Sequence, residues 1–136
     1  MNYEIPGNKQ FLNAVSEGGI IGELRFRLGI ILKASGDFIG WCCTGIKRDL
    51  PAPNREIMFA ISKDHRGKGY TTQAAKGLTK YLFENTNVEM LNAIALLRNE
   101  PSNRVIQKCG FNYQGIIELD DESYNFYTLD KSEWEA

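Results

Sequence analysis

A single histidine, His65, stands among 136 residues, so the chain has no means of building a multi-histidine metal site, and no metal is expected. That histidine sits in a glycine-rich loop, which gives a Ser-His-Asp triad little support. Cysteine is sparse too: Cys42, Cys43 and Cys109. Neighbours on a strand point to opposite faces, so Cys42 and Cys43 suit neither a disulfide nor a zinc pair, and an odd count reads as buried free thiols. No apolar run approaches the roughly 20 residues of a membrane span. The opening MNYEIPGNKQF lacks the cationic and apolar blocks of a signal peptide, so the cytoplasm is the expected compartment. A large excess of charge of one sign is missing as well. The net charge is −1 with no basic stripe, and neither nucleic acid nor a membrane is an expected partner.

What is present fits one globular domain over residues 1–136. Hydrophobic residues make up 43% and charged residues 24%, enough of each for a buried core and a solvated surface. Residues 8–17 read as a short helix with Phe11, Leu12 and Val15 on one side. The runs 26–33 and 38–46, parted by Ala34-Ser35-Gly36-Asp37, read as a hairpin. The segment 48–54 carries Pro51 and Pro53 and reads as a loop. REIMFAI, residues 55–61, alternates as a strand does, with Ile57, Phe59 and Ile61 on one face and Glu56, Met58 and Ala60 on the other. A helix is expected from Tyr70 to Glu84, a strand over 90–97, and a short helix from Pro101 capped by Gly110. Strands over 111–119 and 124–130 follow, joined by the acidic turn Asp120-Asp121-Glu122-Ser123. This order gives an α/β (α+β) domain, a mixed central sheet flanked by helices.

The stretch DHRGKGYTTQAAKGLTKYLF, residues 64–83, carries the chemistry. Ala74, Ala75, Leu78, Tyr81 and Leu82 form one apolar stripe at helical spacing. Just ahead lie Arg66-Gly67-Lys68-Gly69. Gly67 and Gly69 can take positive φ, and the first amides of a helix have no intrahelical acceptor. The helix dipole and two cations add positive charge, which makes an anion site suited to phosphate. Taken alone, the stretch fits a glycine-rich turn before an ordinary helix equally well. It is not a P-loop, because Gly-x-x-x-x-Gly-Lys-Ser/Thr is absent, and it lacks the third glycine of a dinucleotide fingerprint.

Arg66-Gly67-Lys68-Gly69-Tyr70-Thr71 resembles motif A of the GNAT acyl-CoA N-acetyltransferases. Glu56-Ile57-Met58-Phe59 stands where that family carries its central strand. Asn99-Glu100-Pro101-Ser102 followed by Lys108-Cys109-Gly110-Phe111 is similar to a signature of the branch that includes ribosomal-protein N-terminal acetyltransferases. Tyr127-Thr128-Leu129 and Glu133-Trp134 resemble its closing strand and tail, so the likeness spans residues 26–136. There are departures. Thr71 replaces a small Gly or Ala, and Met58 replaces a frequent Gly. About 25 residues precede the first clear strand, fewer than family members usually carry, so the resemblance implies a shortened N-terminus.

The resemblance implies acetyl-CoA as co-substrate and a small-molecule or peptide amine as acceptor. Pyrophosphate would meet the amides of Gly67, Lys68, Gly69, Tyr70 and Thr71, with Arg66 and Lys68 nearby. Pantetheine would run along the backbone of Phe59, Ala60 and Ile61. Glu56 is the implied base, or else a surface carboxylate beside Arg55. Ser102 is the implied partner of the leaving thiolate, because Ile106 occupies the place of a frequent tyrosine; its other role is helix capping. Asn99 either caps the same helix or holds pantetheine. Asp120, Asp121 and Glu122 attract a cationic amine or merely form a solvated turn. A non-catalytic acyl-CoA-binding module of the same fold is the alternative reading, and a homodimer stays open.

Overall fold

Alternation decides the centre of the molecule. The computed structural model describes residues 3–4 and 25–136. In it, seven strands form one sheet: β1 (Tyr3–Glu4), β2 (Phe26–Leu32), β3 (Phe38–Ile46), β4 (Arg55–Ile61), β5 (Met90–Leu96), β6 (Asn112–Leu119) and β7 (Glu122–Asp130). Their order is β1-β2-β3-β4-β5-β7-β6. Every neighbouring pair is antiparallel except β4 and β5. The expected helix over 8–17 lies outside the described residues.

Two parallel strands need a crossover, and α1 (Tyr70–Asn85) supplies it. Ala74, Ala75, Leu78, Leu82 and Phe83 are buried along α1 and meet Leu28, Ile30, Ile57, Leu91 and Ala93 of the sheet. Each fully buried Leu or Ile contributes about 1.5–3 kcal/mol, so this face holds helix and sheet together. Thr86 ends the helix, its amide donating to the Leu82 carbonyl at 3.1 Å.

The second helix, α2 (Glu100–Lys108), follows β5 and starts one residue earlier than expected, with Asn99 as its cap. It stops as the glycine predicted. Gly110 takes φ 88°, its amide reaches the Gln107 carbonyl at 3.0 Å, and the Phe111 amide reaches that of Ile106 at 3.4 Å. A last turn of helix, α3 (Lys131–Glu135), lays Trp134 against Phe83 with ring centroids 5.4 Å apart.

The acidic turn is tighter than expected. Only Asp120 and Asp121 turn, at φ 51° and 63°, while Glu122 and Ser123 already pair in β7. Aspartate tolerates the left-handed region, so two residues suffice for a hairpin whose twist matches its strands. Cys42, Cys43 and Cys109 are free thiols, the first two buried, and burial pushes Cys42 up to about 12 and Cys109 up to about 11.

Candidate active site

The loop after β4 is held before it reaches the helix. The Ser62 amide donates to the Ile39 carbonyl at 2.7 Å, residues 63–65 make a single 3-10 turn, and Ser62 Oγ lies 2.6 Å from His65 Nδ1. Gly67 and Gly69 then take φ 75° and 81°, as the sequence suggested. Gly69 is the residue ahead of α1. It offers no side-chain cap, and no acidic residue occupies the first helical turn. Among the described residues, neither a side-chain cap nor a first-turn carboxylate compensates the positive end of α1.

This helix end opens on a cavity of about 580 Å3, within the size range of small-molecule sites. One wall is the end of β4, Phe59, Ala60 and Ile61. The floor is Arg66, Gly67, Gly69, Tyr70 and Thr71. The far wall is the start of α2, with Asn99 and Ser102. Ten of the residues singled out from sequence are thus brought together. Lys68 is not among the lining residues, and neither is Glu56.

In the β4–β5 ladder the paired residues are Glu56 and Asn92. Beyond that pair the strands separate, so the β5-facing backbone of the rest of β4 borders a gap instead of a ladder. An extended ligand with amide groups can add to β4 there as a further strand does. Close approach of β3 supports this end of β4: a Cβ at Gly40 would collide with the Ala60 carbonyl.

Glu56 sits at the inner end of the gap, on the sheet face away from α1. It is 5% exposed, and burial raises its pKa, with Lys47 and Arg25 pulling the other way. A carboxylate raised toward neutrality is a better proton acceptor than an ordinary one. Its backbone carbonyl accepts from Thr44 Oγ1 at 2.8 Å, and Arg55 Nη1 donates to the same hydroxyl at 3.2 Å. The surface reading of Glu56 does not hold, because the residue is buried.

The start of α2 resolves another alternative. The Ser102 amide donates to Asn99 Oδ1 at 3.3 Å, so Asn99 is the cap and Ser102 stands in the first turn on the cavity wall. Ile106 faces the core at 2% exposure. The acidic turn pairs outward, with Glu122 3.4 Å from Arg98.

Sequence reasoning missed three contributors. Arg104 and Lys108 line the cavity beside Pro101 and Val105, and the spacing 101, 104, 105, 108 was a legible helical stripe. Arg104 also pairs with Glu100 at 3.8 Å. Asn103 fixes the helix that carries them: its Oδ1 accepts from Tyr127 Oη at 2.6 Å and Asn125 Nδ2 at 3.0 Å. Its Nδ2 donates to the carbonyls of Leu96 at 3.0 Å and Asn99 at 2.8 Å. Nothing in the local sequence marks those long-range partners.

A family model described as an acetyltransferase (GNAT) domain matches residues 9–112. The protein named uncharacterized N-acetyltransferase p20, from Bacillus licheniformis, is 28% identical over 114 residues, 84% of this chain and 63% of that one. Among solved structures, the ribosomal-protein-S5-alanine acetyltransferase from Vibrio fischeri superposes with a TM-score of 0.72 at 17% identity, over 99% of this chain and 81% of that one. The aminoglycoside acetyltransferase AAC(6')-Ib, solved with coenzyme A, superposes with a TM-score of 0.73 at 20% identity, over 83% and 70%. The chain spans between 33% and 63% of the length of the curated relatives it matches.

Proposed function

The chain belongs to the GNAT acetyltransferase family, and we propose that it moves an acetyl group from acetyl-CoA to a primary amine in a ternary complex. The observation that carries this reading is the cavity, which lies between the start of α1, the end of β4 and the start of α2. The first amides of α1, the loop amides from Gly67 and the Arg66 guanidinium hold the diphosphate. Lys68 adds charge from outside the cavity. Arg104 and Lys108 supply further cations on the facing wall. The β4 backbone at Phe59, Ala60 and Ile61 holds the pantetheine amides, with Asn99 on the opposite wall.

The amine nitrogen bonds to the thioester carbonyl carbon, the carbon–sulfur bond breaks, and one amine proton must leave. Glu56 accepts that proton, directly or through water. A main-chain amide of β4 polarises the carbonyl. Ser102 donates a hydrogen bond to the sulfur as negative charge develops there. A protein N-terminus, with a pKa of about 7.7–8.0, yields its proton more readily than an alkylamine near 10.4. The solved structures that superpose on this chain include one named a ribosomal-protein-S5-alanine acetyltransferase and one named an aminoglycoside acetyltransferase. The proposed compartment is the cytoplasm.

One observation favours a second reading. Ile106 is buried and offers no donor to the leaving sulfur, which suits a module that binds acyl-CoA without turnover. Calorimetry with CoA, then CoA-release assays with an alanine-terminated tripeptide and with kanamycin, separate the two. Amine-dependent CoA release is expected. Tight CoA binding without it would leave the binding module, and absence of CoA binding would overturn both readings.

A further inference from the structure

The strand β5 carries a single hydrogen-bonding side chain in its interior, Asn92, among Leu91, Ala93, Ile94 and Ala95. Asn92 is fully buried. Its Nδ2 donates to the Pro53 carbonyl at 2.9 Å. That carbonyl can only accept, so it fixes which way the amide faces: nitrogen toward Pro53, oxygen away. Oδ1 is buried and has no hydrogen-bond partner among the described residues. Buried acceptors are almost always satisfied, so an orphan calls for a reason.

Two other buried acceptors share this state, Gln73 Oε1 and Thr79 Oγ1, both on α1. Asn92 differs in its neighbour. Its register partner across β4 is Glu56, and paired residues project to the same face of a sheet. A carboxylate and a side-chain carbonyl without a partner among the described residues therefore lie on the same face of the sheet at the β4–β5 pair, neither of them a lining residue of the cavity. Two acceptors without a donor between them suit a group rich in N–H and positive in charge. A primary ammonium offers three donors, whereas a hydroxyl offers one and an anion offers none.

The geometry points to Asn92 as a binding residue for the acceptor's amino group: its side-chain carbonyl, beside the Glu56 carboxylate, receives an N–H of the primary amine at the thioester end of the gap. This inference rests on the acetyl-transfer reading above. It gives the site a preference for amines over alcohols that Glu56 alone does not supply.

The test uses two thioethers of CoA in the full chain. S-(2-aminoethyl)-CoA carries an ammonium one carbon beyond the attacking position, and S-propyl-CoA has the same shape without the charge. Calorimetry should show the wild type binding the aminoethyl compound about tenfold more tightly, the size of a hydrogen bond to a charged group. In Asn92→Leu that preference should fall away while S-propyl-CoA affinity persists, and Asn92→Asp, which keeps the oxygen, should retain it. A merely structural role would weaken both compounds alike. If Asn92→Leu does not fold, Asn92→Val replaces it. Equal binding of the two compounds by the wild type, or an undiminished preference in Asn92→Leu, overturns the assignment alone. Failure of both compounds to bind overturns the cofactor reading beneath it. Alanine-terminated tripeptide and kanamycin, titrated against the CoA complex, then separate a peptide source of the amine from an aminoglycoside source by which one loses affinity in the variant.

Discussion

Gly69 offers the most direct test of the anion site, because charge and shape can be varied there separately. It takes φ 81° and ψ 3°, immediately before an α1 terminus that has no cap. A Cβ added at Gly69 would meet nothing nearer than Gln73 Nε2 at 4.0 Å, so neither Asn nor Asp clashes. Both residues tolerate the left-handed region, at a cost of about 1 kcal/mol or less against glycine. The fold should therefore survive both Gly69→Asn and Gly69→Asp. The two variants differ by one negative charge. At about 5 Å from a phosphate, with an effective dielectric between 20 and 80, that charge costs about 1–3 kcal/mol. CoA affinity measured by calorimetry should thus fall about five- to 150-fold from Asn to Asp. Raising salt to 1 M, where the screening length is about 3 Å, should narrow the gap. Equal CoA affinity of the two folded variants would refute the placement of phosphate at this helix end.

Ser102→Ala should lower kcat and leave the KM for acetyl-CoA nearly unchanged, since the hydroxyl acts on charge that develops only in the transition state. Because Asn99 holds the cap, the melting temperature should hardly move; a drop in Tm with kcat intact would make Ser102 structural. Glu56→Gln should reduce kcat/KM strongly near neutral pH and recover part of it at alkaline pH, where free amine is abundant. Burial raises the Glu56 pKa, so the native state holds its proton more tightly than the unfolded chain. Wild-type stability from this group is therefore present at low pH and lost as pH rises through the folded pKa, and Glu56→Gln should flatten that loss in urea melts taken across pH. A variant pH–rate profile parallel to the wild type would remove Glu56 as the base.

Local rules wrote the scaffold plainly. The alternation in 55–61 returns β4 with the same bounds, and the stripe from Ala74 to Leu82 returns α1 to within a residue. Gly67, Gly69 and Gly110 all take the positive φ that their positions imply. These features depend on neighbours within one turn or one strand, which a sequence displays. Lys68 is exposed and is not a lining residue of the cavity, since neighbours in sequence need not share a direction in space. Arg104 and Lys108 were undervalued because their stripe also fits an ordinary solvated helix face. Asn92 and Asn103 were illegible for another reason. Each is an isolated amide whose partners, Pro53 for one and Tyr127 for the other, come from distant strands and loops. The expected helix over 8–17 lies outside the described residues.

The two parallel strands explain why the site has a direction. Each is followed by a helix, so α1 and α2 both begin at the carboxyl ends of β4 and β5, where an open sheet leaves its crevice. Two positive helix ends therefore face one cavity, and an anion has two places to go. The sequence has closed one of them. Asn99 caps α2, its side-chain Oδ1 accepting from the Ser102 amide, and Glu100 puts a carboxylate in the first turn. Residue 69 is a glycine, and no carboxylate follows it within a turn. The charged end of an extended ligand is thus drawn to α1, and its uncharged arm is left to pass along β4 toward Glu56.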